Sequence, residues 1–303
     1  MEKLASIIAA ANSTLRRIIY TGKLAPITNA AKSTIRRIIR TGKITPAGKS
    51  PKELNNTQAL FCEWNAERLG ISVAESRKRY DASWASIRGG FGGISYLRFG
   101  VLSHNLFRVF CDDNNHEIWE AYRFHGPMHM LAMLSYKEPI LEGNSPIILN
   151  LHRKERVTIL DFGCGLAQTS RAIAVHLNRS GVSVSLVLAD IPTIRKDFLL
   201  WLGSKVGISI SFLECTPEAP IPDLPTCDLC VATEVFEHLH DPLLYLHNMH
   251  QVLLPGGLLL TNIGNHDAEY MHVSPNLLSL RQELATLSYQ ELSRDTLYKK
   301  PEL

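Results

Sequence analysis

The sequence predicts an α/β protein with a Rossmann-like, doubly wound and mostly parallel sheet, helices on both faces, and a helical N-terminal segment before it. Three observations support this fold class. From residue 157 onward, short apolar runs alternate with helical patterns, and such alternation indicates a parallel sheet covered on both sides. The first run ends in Asp161-x-Gly163-x-Gly165, followed by a helical pattern. Residues 53–150 carry apolar residues mostly at helical spacing.

The first 52 residues differ from the rest of the chain in charge. They hold eleven Lys and Arg and one acid, Glu2, a charge of +10, whereas the remainder has 21 Lys and Arg against 28 acids, a charge of −7. Asn12–Pro26 recurs twenty residues later as Lys32–Pro46. We interpret residues 1–52 as a basic, repeat-containing arm. It is either an amphipathic arm for an anionic surface such as membrane phosphates, nucleic acid or an acidic partner, or a solvated tail, or a mitochondrial-type presequence.

Bulk composition favours a globular protein without a membrane span. The chain is 45% hydrophobic and 20% charged, and no apolar run approaches the roughly 18–20 residues that cross a bilayer. No secretory signal is evident, and six scattered cysteines fit reduced thiols, so we expect a cytoplasmic protein. Cys227-x-x-Cys230 has ligand-like spacing, but Cys230 falls inside a predicted strand. Core cysteines are therefore favoured over a zinc site, which needs four ligands.

Periodicity assigns the elements in order. Before the sheet, helices are predicted over 66–80, 97–111 and 117–135, with a glycine-rich hinge at 88–93. Strands are predicted over 157–161, 182–189, 207–213, 228–233 and 257–262. Helices are predicted over 167–179, 192–205, 241–253 and 276–287. Asp241, followed by Pro242, and Asn276 are the predicted N-caps of the last two helices.

The glycine turn and the acid of the next strand predict a ligand site. Gly163 and Gly165 have no Cβ, so the backbone can turn sharply there and approach a ligand closely. A dinucleotide fingerprint requires a third glycine where this sequence has Gln168. Asp190 closes the second strand, at the point where an acid suits the two hydroxyls of a ribose.

Four motifs in this order resemble the class I S-adenosylmethionine-dependent methyltransferases. They are Leu160-Asp-Phe-Gly-Cys-Gly165, Val187-Leu-Ala-Asp190, Asp228-Leu-Cys-Val-Ala-Thr-Glu-Val-Phe-Glu-His-Leu239 and Leu253-Leu-Pro-Gly-Gly-Leu-Leu-Leu260. The resemblance covers about residues 158–303. It implies a cofactor-binding methyltransferase domain over 151–303 and a helical lid or substrate-binding segment over 53–150, with lid candidates Tyr80, Trp84, Arg123, His125 and His129. The family ends in two antiparallel strands, for which only 289–300 are left here.

The resemblance also implies which residues bind S-adenosylmethionine. Asp161 accepts from the ammonium group of the methionine end, while Gly163 and Gly165 give backbone access. Asp190 takes the ribose hydroxyls. The remaining implied contacts are Ile191 packing on adenine, Glu214 accepting from the adenine amino group, and Thr233 and Glu234 flanking the sulfonium.

Glu234-x-x-Glu237-His238 is a second chemical motif, because positions i, i+3 and i+4 share one face of a helical turn. It resembles the metal-binding motif of small-RNA terminal ribose methyltransferases and of ubiquinone-pathway O-methyltransferases. In the small-RNA methyltransferases a later histidine completes the set of metal ligands. In this sequence His266 and His272 are the candidates for that histidine. The resemblance implies a divalent cation such as Mg²⁺. Two alternatives stay open: His238, with Glu237 beside it, acts as a base or substrate contact without metal, or the motif is structural.

The sequence favours a methyltransferase that transfers the methyl group of S-adenosylmethionine to an oxygen of a small molecule or saccharide. A ribose methyltransferase acting on RNA is the first alternative, supported by the basic arm and Glu-x-x-Glu-His. A non-catalytic S-adenosylmethionine-binding or scaffold protein is the second, because fold alone does not decide function. A dinucleotide oxidoreductase is disfavoured, since the third glycine is missing.

Overall fold

The computed structural model of the protein is organised around one sheet. It describes residues 54–89, 119, 130, 133, 134, 136, 143, 145–264, 272–274 and 276–302, without the side chains of 84–89. In these residues, seven strands form the sheet. They are β1 Arg156–Phe162, β2 Ser183–Asp190, β3 Ser209–Glu214, β4 Cys227–Ala232, β5 Leu253–Thr261, β6 Gln290–Ser293 and β7 Leu297–Lys299.

The strand order defines the position of the site. It runs β3-β2-β1-β4-β5-β7-β6. The strands β1 to β5 pair in parallel, and β7 pairs antiparallel with both β5 and β6. The chain builds outward from β1 in one direction and resumes at β4 in the other, so the switch point lies between β1 and β4. In such sheets ligands bind beyond the carboxyl ends of the strands at that point. The predicted fold class and the short closing hairpin are both confirmed.

Helices cover both faces of the sheet. They are α1 Asn56–Leu69, α2 Val73–Gly89, α3 Pro146–Leu151, α4 Gln168–Arg179, α5 Ile194–Val206, α6 Pro242–Val252 and α7 Leu278–Thr286. Alternation along β1 sends Ile159 to one core cluster and Leu160 to the other. The first cluster includes residues of α3, α4 and α5, and the second includes residues of α6 and α7. Both cysteines of Cys227-x-x-Cys230 are fully buried core residues.

Local signals explain most element boundaries. Asp241 caps α6 as predicted, because its carboxylate accepts from the backbone N–H of Leu244 at 3.2 Å. The predicted cap of α7 is wrong by one position. Leu277 is the N-cap, and Asn276 accepts instead from the N–H of Leu278 at 3.1 Å. Strand β5 begins four residues before the predicted position, since it pairs with β4 already at Leu253.

The predicted single helix over 66–80 is wrong. Helix α1 ends before Gly70, which adopts a left-handed φ of 62° and donates its N–H to the carbonyls of Ala66 and Glu67. This glycine is a common C-terminal stop because it lacks the Cβ that makes left-handed backbone costly. Helix α2 then starts at Val73.

The N-terminal segment packs against α5 and the loop after the glycine turn. Its buried residues form one apolar cluster with Leu166, Phe198 and Leu202; they are Cys62, Trp64, Tyr80, Met130 and Leu134. Tyr80, a lid candidate, is therefore a core residue. Several predictions lie outside the described residues: the arm 1–52 with its repeats, the helix 97–111, most of 117–135, the hinge beyond Gly89, Arg123, His125, His129, the side chain of Trp84, and His266. Among the described helices, none has both the length and the apolar character that crossing a membrane requires.

Candidate active site

The glycine turn after β1 lies against two other parts of the chain. Gly163 has a φ of 65°, and its N–H donates to the carbonyl of Ala189 at 2.7 Å. A Cβ at Gly163 would lie 2.6 Å from Cγ2 of Val235, and a Cβ at Gly165 would lie 3.2 Å from Sδ of Met133. A side chain at Gly163 would therefore clash with Val235, and one at Gly165 would require Met133 to shift at a left-handed φ of 55°. The predicted close approach of this turn to a ligand stays a prediction.

Asp161, the penultimate residue of β1, is a buried carboxyl. The hydroxyl of Ser170, on α4, donates to its Oδ2. The pKa of Asp161 is raised to about 7, mainly by burial and to a smaller extent by the neighbouring charge of Asp190, while the Ser170 hydrogen bond and the Arg171 guanidinium lower it. A cationic ammonium group beside Asp161 would favour the ionised carboxylate.

Asp190 ends β2 with its carboxylate already oriented. Oδ2 accepts from the N–H of Gly165 at 2.8 Å, and Oδ1 accepts from the N–H of Ile191 at 2.7 Å. The guanidinium of Arg195, itself buried, lies 3.4 Å from Oδ1. The thiol of Cys164 also lies 3.8 Å from Oδ2, so each of the about four lone-pair positions of the carboxylate has a partner. The contacts to Arg195 and Cys164 are the weakest, and bidentate recognition of a ribose requires both to yield to its hydroxyls.

The two predicted adenine contacts lie beside this carboxylate. Strand pairing sets Glu214 directly across from Asp190, and Ile191 is partly buried against the core. Lys196 donates to Oε1 of Glu214 at 2.7 Å, which raises the pKa of Lys196. The Glu214 carboxylate thus has a cationic partner at the surface, and its adenine contact stays a prediction.

The loop after β4 carries Thr233 and Glu234 at the switch point. Thr233 is partly buried and Glu234 is exposed. Glu234 has a left-handed φ of 56°. Its N–H donates to Oδ1 of Asn262 at 2.6 Å, and Nδ2 of Asn262 donates to its Oε1.

Three side chains of the second motif converge beyond this loop. A single 3₁₀ turn, Phe236–His238, carries Glu237 and His238, and each of them and His272 offers a ligand atom within 4.8 Å of the other two. The rings of His238 and His272 meet edge to face with centroids 4.9 Å apart. The carbonyl of Glu237 accepts from the N–H groups of Val273 and Ser274 at 2.8 and 2.9 Å, which holds His272 at this position.

This donor set fits a divalent cation. One carboxylate and two imidazoles suit borderline metals and leave positions open. Among three ligands of an octahedral Mg²⁺ only one pair can be opposite, about 4.2 Å apart, and neighbouring ligands lie about 3 Å apart. The ligand atoms of this cluster, which lie within 4.8 Å of one another, would therefore have to move together by roughly 1–2 Å to bind one cation. The 3₁₀ turn replaces the predicted helical face, and Glu234 is bound to Asn262 instead of lying with the other three.

Sequence reasoning missed four residues of this site. Ser170 and Arg195 bind the two acids, and Asn262 binds Glu234. The indole N–H of Trp119 donates to the carbonyl of Cys215, directly after β3, at 2.8 Å. A serine at the third position of α4 and an arginine at the second position of α5 are local signals that could have found the first pair. Asn262 and Trp119 act over 28 and 96 residues, and no local pattern marks them.

Comparisons with known proteins match part of the chain. Residues 160–261 match the family model described as a methyltransferase domain. The chain is similar to the ubiquinone biosynthesis O-methyltransferase of Ruegeria pomeroyi, with 29% identity over 154 residues, which are 50% of this chain and 60% of that protein. It is 30% identical over 109 residues to the protein of the same name from Dinoroseobacter shibae, covering 36% of this chain and 42% of the relative. The chain thus spans 42% and 60% of these relatives.

Among solved structures, the chain is similar to TehB from Haemophilus influenzae. The identity is 17%, the match covers 53% of this chain and 62% of that one, and the TM-score is 0.39. The family match contains the glycine turn, both acids and the Glu234–His238 turn. The resemblance drawn from the motifs is therefore confirmed for residues 160–261 as that of a methyltransferase domain.

Proposed function

We propose that the protein is an S-adenosylmethionine-dependent methyltransferase that methylates a hydroxyl oxygen of a small molecule or saccharide. One observation carries the proposal. Asp161, the glycine turn and Asp190 meet at the switch point of the sheet, and the Glu237, His238 and His272 cluster lies beyond the next strand. The relatives named as O-methyltransferases support oxygen as the acceptor atom.

The chain's own residues mainly bind and orient in this proposal. The cofactor supplies an electrophilic methyl group on a sulfonium sulfur. Asp161 would accept from its ammonium group and Asp190 from its ribose. The burial of Asp161 and the backbone hydrogen bonds to Asp190 hold both carboxylates in place for this binding, and such positioning is the protein's main contribution. Ile191, Glu214 and Thr233 complete the proposed binding set.

His238 is the proposed general base. When bound, the cofactor would supply the methyl group to the acceptor oxygen, and the imidazole of His238 would take up the proton that the acceptor hydroxyl loses. The buried carboxylate of Glu237 lies 4.0 Å from Nε2 of His238 and stabilises the resulting charge.

A divalent cation such as Mg²⁺ is the alternative to the base role of His238, because an imidazole nitrogen that binds a metal cannot accept the proton of the acceptor. Glu237, His238 and His272 would hold it, and its chemistry is to lower the pKa of a bound hydroxyl and orient it. The metal ligands that the sequence predicted also included Glu234, whose side chain accepts a hydrogen bond from Asn262.

The proposal includes binding of the basic arm, residues 1–52, to an anionic surface or to nucleic acid. It also includes a cytoplasmic location. An RNA acceptor is the alternative that the arm and the metal motif favour. Removing residues 1–52 tests it. If RNA is the acceptor, binding falls steeply with salt and is lost with the arm, whereas a small-molecule enzyme keeps its turnover without the arm.

Calorimetric titration of S-adenosylhomocysteine tests the cofactor assignment. We expect micromolar binding that Asp190→Ala weakens about tenfold, or 1.4 kcal/mol. Asp197→Ala is the matched control, because Asp197 is an exposed acid in the first turn of α5. Runs with Mg²⁺ and with a chelator separate cofactor from metal. Absent binding in both would refute the methyltransferase proposal. Binding without methyl transfer to any phenol or saccharide in a panel would support the non-catalytic alternative.

A further inference from the structure

The ends of β4 and β5 are joined by hydrogen bonds next to the cluster of Glu237, His238 and His272. In the parallel register, Ala232 pairs with Thr261, and the Thr261 hydroxyl donates to the carbonyl of Ala232 at 2.9 Å. The residues that follow these two, Thr233 and Asn262, therefore leave the sheet side by side. This geometry brings the Asn262 amide to Glu234.

Asn262 binds Glu234 at two points. Its Oδ1 accepts from the backbone N–H of Glu234 at 2.6 Å, and its Nδ2 donates to Oε1 of the same residue. We call this pair of hydrogen bonds the amide clasp. Glu234 holds a left-handed φ of 56°, which residues with a Cβ rarely adopt unless surrounding contacts enforce it. The clasp supplies that enforcement on both the backbone and the side chain.

The backbone fixed by the clasp leads directly into two functional contacts. Val235, the next residue, packs so closely on Gly163 that a Cβ there would lie 2.6 Å away. The carbonyl of Val235 then accepts from the N–H of His238 at 2.9 Å, closing the turn that carries Glu237 and His238. The clasp thus lies one residue before the segment 235–238, which packs against the glycine turn and orients Glu237 and His238.

We propose that Asn262 is a positioning residue for the Glu237, His238 and His272 cluster, and that Glu234 serves as its anchor and not as a metal ligand. The role of the cluster rests on the proposed function, whereas the clasp itself rests on the contacts above. Partners behind a metal site typically set its affinity by orienting the ligands. Glu234, the first glutamate of Glu-x-x-Glu-His, has this role of orienting the ligands here.

Calorimetric titration of Mn²⁺ into the full chain separates an anchor from a ligand. Asn262→Ala breaks the clasp and should weaken Mn²⁺ binding about tenfold. Glu234→Gln keeps the acceptor oxygen for the clasp but removes the charge, so its affinity should stay within about twofold of the wild type. Glu237→Gln removes a ligand and should weaken binding more than Asn262→Ala. Asn248→Ala, an exposed amide bound within α6, is the matched control and should change nothing.

The opposite pattern overturns the proposal. If Glu234→Gln weakens Mn²⁺ binding as much as Glu237→Gln does, Glu234 is a ligand. If Asn262→Ala binds Mn²⁺ as the wild type does, the clasp does not position the cluster. Titrating S-adenosylhomocysteine in chelator with the same samples shows whether the cofactor site is intact in each variant.

Carbon-13 signals of the histidine rings test the clasp without metal or cofactor. The signals of His238 and His272 are assigned by His→Gln variants. Asn262→Ala should shift both, and Glu234→Gln should leave both in place. Unmoved signals in Asn262→Ala overturn the proposal. Because this measurement needs neither ligand, it decides the clasp even if the wild type binds neither Mn²⁺ nor S-adenosylhomocysteine, which would refute the proposed function alone.

Discussion

The raised pKa of Asp161 predicts that cofactor affinity depends on pH. Its pKa lies at about 7, and only the ionised carboxylate accepts from an ammonium group. About one carboxyl in ten is ionised one unit below the pKa and about nine in ten one unit above it. The dissociation constant of S-adenosylhomocysteine should therefore be about tenfold higher near pH 6 than near pH 8, or about 1.4 kcal/mol. Asp161→Asn should bind more weakly than the wild type at pH 8 and lose this dependence.

The Asp161 carboxyl affects stability in the opposite direction: a rise in pH strengthens cofactor binding but lowers the free energy of unfolding. The native carboxyl binds its proton up to about pH 7, whereas its ordinary pKa is 3.8, so between these values the native state holds more protons than the unfolded state. The free energy of unfolding therefore falls as pH rises through this window, by at most about 4 kcal/mol. Asp161→Asn has no proton to lose and should gain stability relative to the wild type as pH rises.

Two measurements check this reasoning. Calorimetry with S-adenosylhomocysteine in buffers of different ionisation enthalpy reports both affinity and released protons, and urea unfolding from about pH 4.5 to 8.5 reports stability. His238→Gln is the control and should retain the pH dependence of affinity. A wild-type affinity that is flat between pH 6 and 8, or an equal slope in Asp161→Asn, would contradict the assignment of the titrating group.

Two further predictions concern stability. Gly163→Ala places a Cβ 2.6 Å from Val235, whereas Gly181→Ala meets open space at a similarly positive φ; chemical denaturation should show Gly163→Ala to be less stable by about 1–3 kcal/mol, and equal losses would exclude the close contact. Lys300 donates to two carbonyls at the end of α6, both at 2.7 Å, so Lys300→Met should lower the free energy of unfolding by about 1–3 kcal/mol. Lys299→Met removes only a surface ion pair and should cost below about 1 kcal/mol in the same assay.

The parts of the fold that the sequence predicts are those encoded locally. Buried parallel strands are short apolar runs, and the acids that matter, Asp161 and Asp190, stand where those runs end. The order of strands along the chain therefore already gathers them at one edge. The break at Gly70 was missed because a lone glycine inside a helical pattern is also tolerated within helices.

Tertiary contacts account for what the sequence could not give. The spacing of Glu234, Glu237 and His238 suits a helical face as well as a 3₁₀ turn, and it gives no sign of the contact between Glu234 and Asn262, 28 residues away. The same holds for His272, which reaches the cluster through the backbone bonds of the next two residues to Glu237. The sequence motif identified Glu237 and His238, with His272 as a candidate partner. Their arrangement depends on tertiary contacts, among them the packing of β4 against β5.

The antiparallel strand β7 has a consequence for how the chain folds. It covers the flank of β5, pairing Leu258, Leu259 and Leu260 with residues 297–299. During synthesis β5 emerges before β7, and in that interval a strand rich in leucine presents unpaired N–H and carbonyl groups. Such an edge is a template for pairing with another copy. The hairpin is thus a safeguard against aggregation, and a chain shortened before residue 297 should misassemble during translation even though every residue of the candidate site is present.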